Sequence, residues 1–154
     1  MARQPKQVHV FFYRKRENGW EYAVFQRADF PDCWQGVCGG LEDGETLEEG
    51  ARREVLEEAG VSGMFPLIPL ESISYLPDDI FSARARNAWG KQVVVVPMFF
   101  FAVPYNGTIR LSHEHTAVEW LPYAQAHERI YYSDQKIALY ELHEKLLRGL
   151  IKAE

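Results

Sequence analysis

The stretch from Gly39 to Val61, GGLEDGETLEEGARREVLEEAGV, constrains this chain more than any other. A glycine-rich segment runs into a helix whose two ends are both marked. Thr46 is a good N-cap, and Glu49 three residues later completes a capping box. Gly60 supplies the left-handed stop, so the spacing predicts a helix over Leu47–Ala59. Glu54, Glu57 and Glu58 crowd its last turns. Residues three and four apart on a helix are neighbours, and each like-charge contact costs a few tenths of a kcal/mol. The cluster therefore either faces open water or holds a cation. At ~100° per residue, Leu47, Ala51 and Val55 form an apolar stripe, and Glu54 and Glu58 fall on the same side. Glu49, Arg52 and Arg53 take the outward face. Inward carboxylates without partners are too costly unless protonated or bound to cations. A hard divalent ion with oxygen ligands resolves the conflict. Mg²⁺ suits it by keeping several waters and accepting phosphate oxygens, with Mn²⁺ as an alternative.

Gly39, Gly40 and Gly44 let the backbone turn sharply and approach a ligand or metal, or simply make a flexible entry to the helix. Arg53, between the carboxylates, has two partners within reach. Glu45 would pin the loop to the helix; Glu49, four residues earlier, would make a surface pair.

The 154 residues suit one domain, expected over 1–154, with 47% apolar and 25% charged residues. A net charge of -5 argues against duplex nucleic acid as the main partner. The two cysteines, Cys33 and Cys38, fit no zinc spacing and suit a reducing, cytoplasmic setting. The start MARQPKQVHVFFYRKR holds no long apolar stretch, which argues against a secretory leader. The longest apolar run, Val93 to Val103, is too short to span a membrane. It reads as a buried strand with a bulge or bend at Pro97.

Strands are expected at Val8–Tyr13 and Trp20–Gln26, joined by a hairpin turn at Asn18-Gly19. Further strands are expected at Trp34–Cys38, Leu67–Tyr75, Thr108–Leu111 and Ala117–Trp120. Pro77 to Gln92 reads as a long polar loop. Helices close the chain at Pro122–Glu128 and Asp134–Ile151, the last capped by Ser133 or Asp134. Strands with one early and one late helical region favour an α/β (α+β) fold, a mixed sheet covered by helices.

Gly39, Glu45, Arg53-Glu54-Val55, Glu57-Glu58 and Gly60-Val61, at these spacings, resemble the signature box of the Nudix hydrolases at every fixed position. The resemblance implies an αβα sandwich around a mixed sheet. It also implies metal-dependent hydrolysis of a nucleoside diphosphate linked to another group. By the same resemblance, Glu54, Glu57, Glu58 and the Gly39 carbonyl are metal ligands, and Glu45 with Arg53 is a structural pair. Gln26-Arg27-Ala28-Asp29, Cys33 to Gly39, the segment around Arg84 and Arg86, and Ser112-His113-Glu114-His115 leading to Glu119-Trp120-Leu121 are similar to the dihydroneopterin triphosphate (or dATP) pyrophosphohydrolase subgroup. There Glu114 is expected to be a metal ligand or the base that orients water. His113 and His115 are expected to be solvated or to sit behind the ligands.

The expected chemistry is cleavage of a nucleoside or pterin triphosphate to a monophosphate and pyrophosphate. Glu114, Glu54 and Glu57 are the catalytic candidates, Glu114 or a helix glutamate taking the proton of the attacking water. Arg27, Arg84 and Arg86 are candidates to grip phosphates. Of the aromatics Trp34, Tyr75, Phe81 and Trp89, those nearest the box, Trp34 and Trp89, are the better candidates to stack on a ring. The partner is then a small nucleotide or pterin phosphate, bound by a monomer or homodimer away from membranes. Pro77, sixteen residues past Val61, lies about where a proline marks ADP-ribose-hydrolysing members; dinucleoside polyphosphates are a further option. A different class of protein, a Nudix-fold module that senses a nucleotide without cleaving it, would be expected to lack helix carboxylates.

Overall fold

A computed structural model describes residues 3–151; the ends of the expected domain, 1–2 and 152–154, lie outside the described residues. The strands are β1 (Arg3–Arg16), β2 (Gly19–Arg27), β3 (Trp34–Gln35), β4 (Val37–Glu42), β5 (Ile68–Pro77), β6 (Val95–Pro104) and β7 (His115–Pro122). The helices are α1 (Leu47–Ala59), α2 (Ala83–Trp89), α3 (Tyr123–Arg129) and α4 (Ser133–Leu147). The strands form one mixed sheet in the order β3-β2-β1-β6-β5, with β4 added to β1 and β7 to β2. Among the described strand ladders β1/β6 is the parallel one, and an isolated bridge between Trp34 and Ile130 is parallel too.

Alternation along β1 explains the layering. Val8, Val10 and Phe12 point to one face, where they pack with Phe25, Val37 and Leu41 against Ala51, Val55 and Ala59 of α1. Phe11 and Tyr13 point to the other, where Tyr22, Val24 and Phe100 meet Leu139 and Leu142 of α4. Both faces are buried because helices cover both, giving the expected αβα sandwich. β1 also serves two neighbours on one edge. It pairs with β4 as far as Val10↔Val37 and with β2 from Tyr13↔Tyr22 onward. Where those two partners part, β3 and the ends of β2, β4 and β7 surround an opening.

Four local expectations change. The Pro77–Gln92 segment is not a loop throughout: a 3₁₀ turn at Asp78–Ile80 precedes α2, whose Ser82 Oγ accepts from Ala85 N at 3.1 Å. A seven-residue helix carries too short a hydrophobic period to be read, and tertiary anchoring through Trp89 decides it. Thr108–Leu111 forms no strand. Instead Arg110 N donates to Ala59 O at 2.8 Å, satisfying a carbonyl at the end of α1. The β5/β6 register shift falls between Pro69 and Ile73, not at Pro97, which pairs in register with Tyr75. Finally, Tyr132 occupies the N-cap of α4 without a side-chain bond. Asp134 accepts from the adjacent Gln135 N at 2.9 Å.

Candidate active site

α1 starts as its sequence requires. Thr46 Oγ1 accepts from Glu49 N at 3.1 Å, and Glu49 Oε1 accepts from Thr46 N at 2.9 Å. That commits Glu49, and Arg53 turns to Glu45. Its Nε and Nη2 donate to the two Glu45 oxygens at 2.6 and 2.9 Å. Nη2 also donates to Gly40 O at 2.8 Å. Glu45 Oε1 in turn accepts from Glu42 N at 2.8 Å. The hydrogen bonds from Arg53 hold the Glu45 carboxyl below its ordinary range. One guanidinium thereby ties β4, the loop and α1 together, so the loop-pinning pair is the one that forms.

The helix delivers its carboxylates to different places. Glu54 and Glu58 are 5% and 1% exposed, as the wheel predicts, whereas the Glu57 side chain is 53% exposed. Arg53 Nη1 donates to Glu54 Oε2 at 3.0 Å and to Glu57 Oε1 at 3.2 Å. The Glu54 carboxyl lies directly over Gly39, where a Cβ would overlap it. A Cβ at Gly40 would likewise crowd the Arg3 guanidinium and the Gln7 amide, so both glycines sit at close approaches of side chains.

Glu58 Oε1 is buried without a hydrogen bond, 3.8 Å from His115 Nδ1, which also has no hydrogen-bond partner. The distance suits an ion pair, but burial opposes both charges. Burial first, then Glu54 and Glu114, push the Glu58 carboxyl far above its ordinary range. Burial and Arg27 lower His115 to about 4. We therefore treat both as neutral in the metal-free protein. An orphaned carboxylate oxygen with Glu54 and a glycine backbone beside it is a hard-oxygen donor set that fits a divalent cation. Among the described residues no three acidic, histidine or cysteine groups already form a metal cage; Glu57 is held by Arg53.

A cavity of about 530 Å³ opens over Glu58. Gly39, Glu58, Glu114 and His115 line it together with Arg27, and so do Leu76, Phe81 and Met98. The first turn of α4 contributes Asp134 and Gln135. Glu114 sits in the turn just before β7, its carbonyl accepting from Ala28 N at 2.9 Å. Arg27 reaches the cavity but grips Asp29 through Nε and Nη2 at 2.8 and 2.6 Å.

Four of the expected substrate-binding residues stand outside this cavity. The Trp34 ring lies under the Arg129 guanidinium, 4.7 Å from it. Trp89 is nearly buried, donates to Arg3 O at 2.6 Å, and meets Phe81 edge-on. Arg84 lies on α2, and Arg86 Nε donates to Phe81 O at 3.2 Å. Folding of α2 spends Trp89 as its anchor and brings Phe81 to the cavity instead. His113 is exposed, and His115 is buried against Phe25 and behind Glu58, the two placements expected of this pair.

Sequence reasoning also passed over Asp29, Gln135 and His9. His9 is fully buried and accepts from Gly36 N at 2.9 Å at the junction of β3 and β4. The only signal was a polar residue on the inward face of an apolar strand, which by period alone looks like core packing.

The fold and this loop–helix arrangement define the class. The NUDIX domain profile matches residues 3–142, and the chain belongs to that family. It is 36% identical over 100 residues to the dihydroneopterin triphosphate diphosphatase of Escherichia coli K12, covering 64% of this chain and 66% of that protein. A structure from Listeria monocytogenes str. 4b F2365 assigned to the NUDIX hydrolases superposes with a TM-score of 0.85 at 32% identity, covering 98% of this chain and 100% of that one. The structure of the E. coli dihydroneopterin triphosphate pyrophosphohydrolase gives 0.75 at 23% identity over 94% and 99%, a likeness of fold.

Proposed function

We propose that the chain is a Mg²⁺-dependent pyrophosphohydrolase that cleaves a nucleoside or pterin triphosphate into the monophosphate and pyrophosphate. The observation that carries this reading is the buried Glu58 carboxyl, whose Oε1 has no hydrogen-bond partner, in the wall of a cavity that Gly39 and Glu114 also line. Glu54, Glu57, Glu58 and the Gly39 carbonyl would hold the metal, which when bound neutralises phosphate oxygens and acidifies a water. Arg53 keeps Glu54 and Glu57 aligned from behind through Nη1. Glu114, exposed at the cavity wall, accepts the proton of the attacking water. Arg27 lies at the same wall, held by Asp29 with its guanidinium plane fixed.

Relatives named for dihydroneopterin triphosphate support a pterin triphosphate substrate, and others named as a nucleoside triphosphatase support a nucleotide. Pro77, the residue behind the ADP-ribose alternative, pairs with Val95 at the end of β5 and does not line the cavity. The test is a panel of nucleoside triphosphates, ADP-ribose, a dinucleoside polyphosphate and dihydroneopterin triphosphate, assayed with Mg²⁺ for pyrophosphate against phosphate release. Release of pyrophosphate from a triphosphate is expected. Silence across the whole panel would favour a nucleotide-sensing module. Glu57→Gln is expected to lower turnover by about two or more orders of magnitude with an unchanged circular dichroism spectrum; near-normal activity would sink the assignment.

A further inference from the structure

His9 is fully buried in the middle of β1, its ring 4.8 Å from that of Phe11 and 4.9 Å from that of Phe100. Such surroundings suit an apolar ring. What the histidine adds is an acceptor, since Gly36 N donates to its Nε2 at 2.9 Å. The proton of the neutral ring then sits on Nδ1, which is buried without a partner. A desolvated N–H is thus the cost of keeping this one bond. Burial first, then His115, lower His9 to about 3, so Nε2 remains an acceptor throughout the neutral range.

Gly36 is the residue at which the chain changes partners. Before it, Gln35 pairs with Phe25 of β2; after it, Val37, Cys38 and Gly39 pair with Val10, His9 and Val8 of β1. Gly36 itself is buried and belongs to neither strand, and a Cβ there would overlap Val10 O and the His9 ring. Gln35, Cys38 and Gly39 carry the two sides of this corner into the cavity wall. Resting on the reading of the Gly39 carbonyl and the α1 glutamates as metal ligands, we propose that His9 is a positioning residue for the metal, holding the Gly39 segment in place through Gly36. Arg53 secures the far side of Gly39 by donating to Gly40 O at 2.8 Å; His9 secures the near side. Mg²⁺ demands near-ideal octahedral geometry at about 2.0–2.1 Å, so a small shift of one ligand weakens binding while the fold persists.

The test is Mn²⁺ binding to the full chain without nucleotide, titrated by electron paramagnetic resonance, in wild type, His9→Gln and His9→Phe. The glutamine oxygen can stand where Nε2 stands; phenylalanine keeps the packing and removes the acceptor. His9→Phe should bind Mn²⁺ about tenfold or more weakly, with His9→Gln close to wild type. Hydrogen exchange at the Gly36 amide should be fast in His9→Phe and slow in the other two. Metal-free melting temperatures of the two variants should agree, which separates positioning from general stability. Should His9→Phe fail to fold, His9→Leu carries the same expectation. Wild-type affinity in the variant without an acceptor, or an equal loss in His9→Gln, would overturn the proposal. If Mn²⁺ affinity depends on the acceptor while no triphosphate releases pyrophosphate, the hydrolase reading fails and this one stands. A wild-type chain that binds no Mn²⁺ overturns both.

Discussion

Glu58 carries most of the tension in this protein. Its carboxyl is buried, lacks a hydrogen bond at Oε1, and is driven above its ordinary range of about 4.5 chiefly by burial. The folded metal-free protein therefore binds a proton that the unfolded chain releases above that pH. With a raised folded pKa, the stability contribution is full below the unfolded value and is lost as pH rises. Thermal melts of metal-stripped protein between about pH 5 and pH 9 should accordingly show falling stability with pH, with a flatter profile for Glu58→Gln. Added Mg²⁺ should recover the wild-type melting temperature at the alkaline end by binding the folded state alone, and should do less for the Gln variant. A wild-type profile as flat as the variant's would remove the argument. The same residue shows what was legible early. Its inward direction follows from helical geometry, but the His115 contact depends on where β7 begins.

At the scale of elements, α1 was readable almost to the residue because both ends carry their own chemistry, a capping box and a left-handed glycine. Its packing was not. Gly50 sits at the end of the first turn of α1, where alanine has the better intrinsic propensity by up to about 1 kcal/mol. However, a Cβ there would overlap Leu41 Cδ2, and Leu41 is 1% exposed, with little room to yield. Gly50→Ala is therefore expected to destabilise the protein by about 1–3 kcal/mol in urea titrations. Leu41→Val in the same background should recover part of the loss; a Gly50→Ala protein more stable than wild type would show that propensity wins. α2 was illegible for the converse reason. Its seven residues are held by Ser82 at one end and by Trp89 bonding to Arg3 at the other, and a contact spanning most of the chain leaves no local trace.

Across the whole molecule, the outer helix layer is fastened to the sheet edge by a carboxylate. The irregularity in β5 between Pro69 and Ile73 leaves backbone donors outside the ladder. Glu141 of α4 accepts from Glu71 N at 2.6 Å and from Ser72 N and Oγ at 2.8 and 2.6 Å, while Lys145 Nζ donates to it at 2.7 Å. Burial raises the Glu141 carboxyl, but these bonds outweigh it and leave the group below its ordinary range. That stability is present above the unfolded value near 4.5 and is lost as pH falls through the lower folded value. Glu141→Gln should cost about 1.5–3 kcal/mol at neutral pH in chemical denaturation, and the difference from wild type should shrink on acidification. A constant difference down to about pH 3 would argue against a charge-assisted clamp. Among the described residues no helix is long and apolar enough to cross a membrane, in keeping with the short apolar runs.

By itself the sequence determined the elements whose signals are local. Short apolar runs specified the buried strands, the cap residues bounded α1, and the box spacing placed Glu45, Arg53 and the three glutamates on one loop and helix. Tertiary structure alone decided what surrounds them. Phe81 displaced Trp34 and Trp89 from the cavity, His115 turned inward behind Glu58, and Asp134 and Gln135 arrived from the far end of the chain. Those choices rest on contacts between residues many positions apart. Their energies depend on packing and desolvation, which no short window of sequence records.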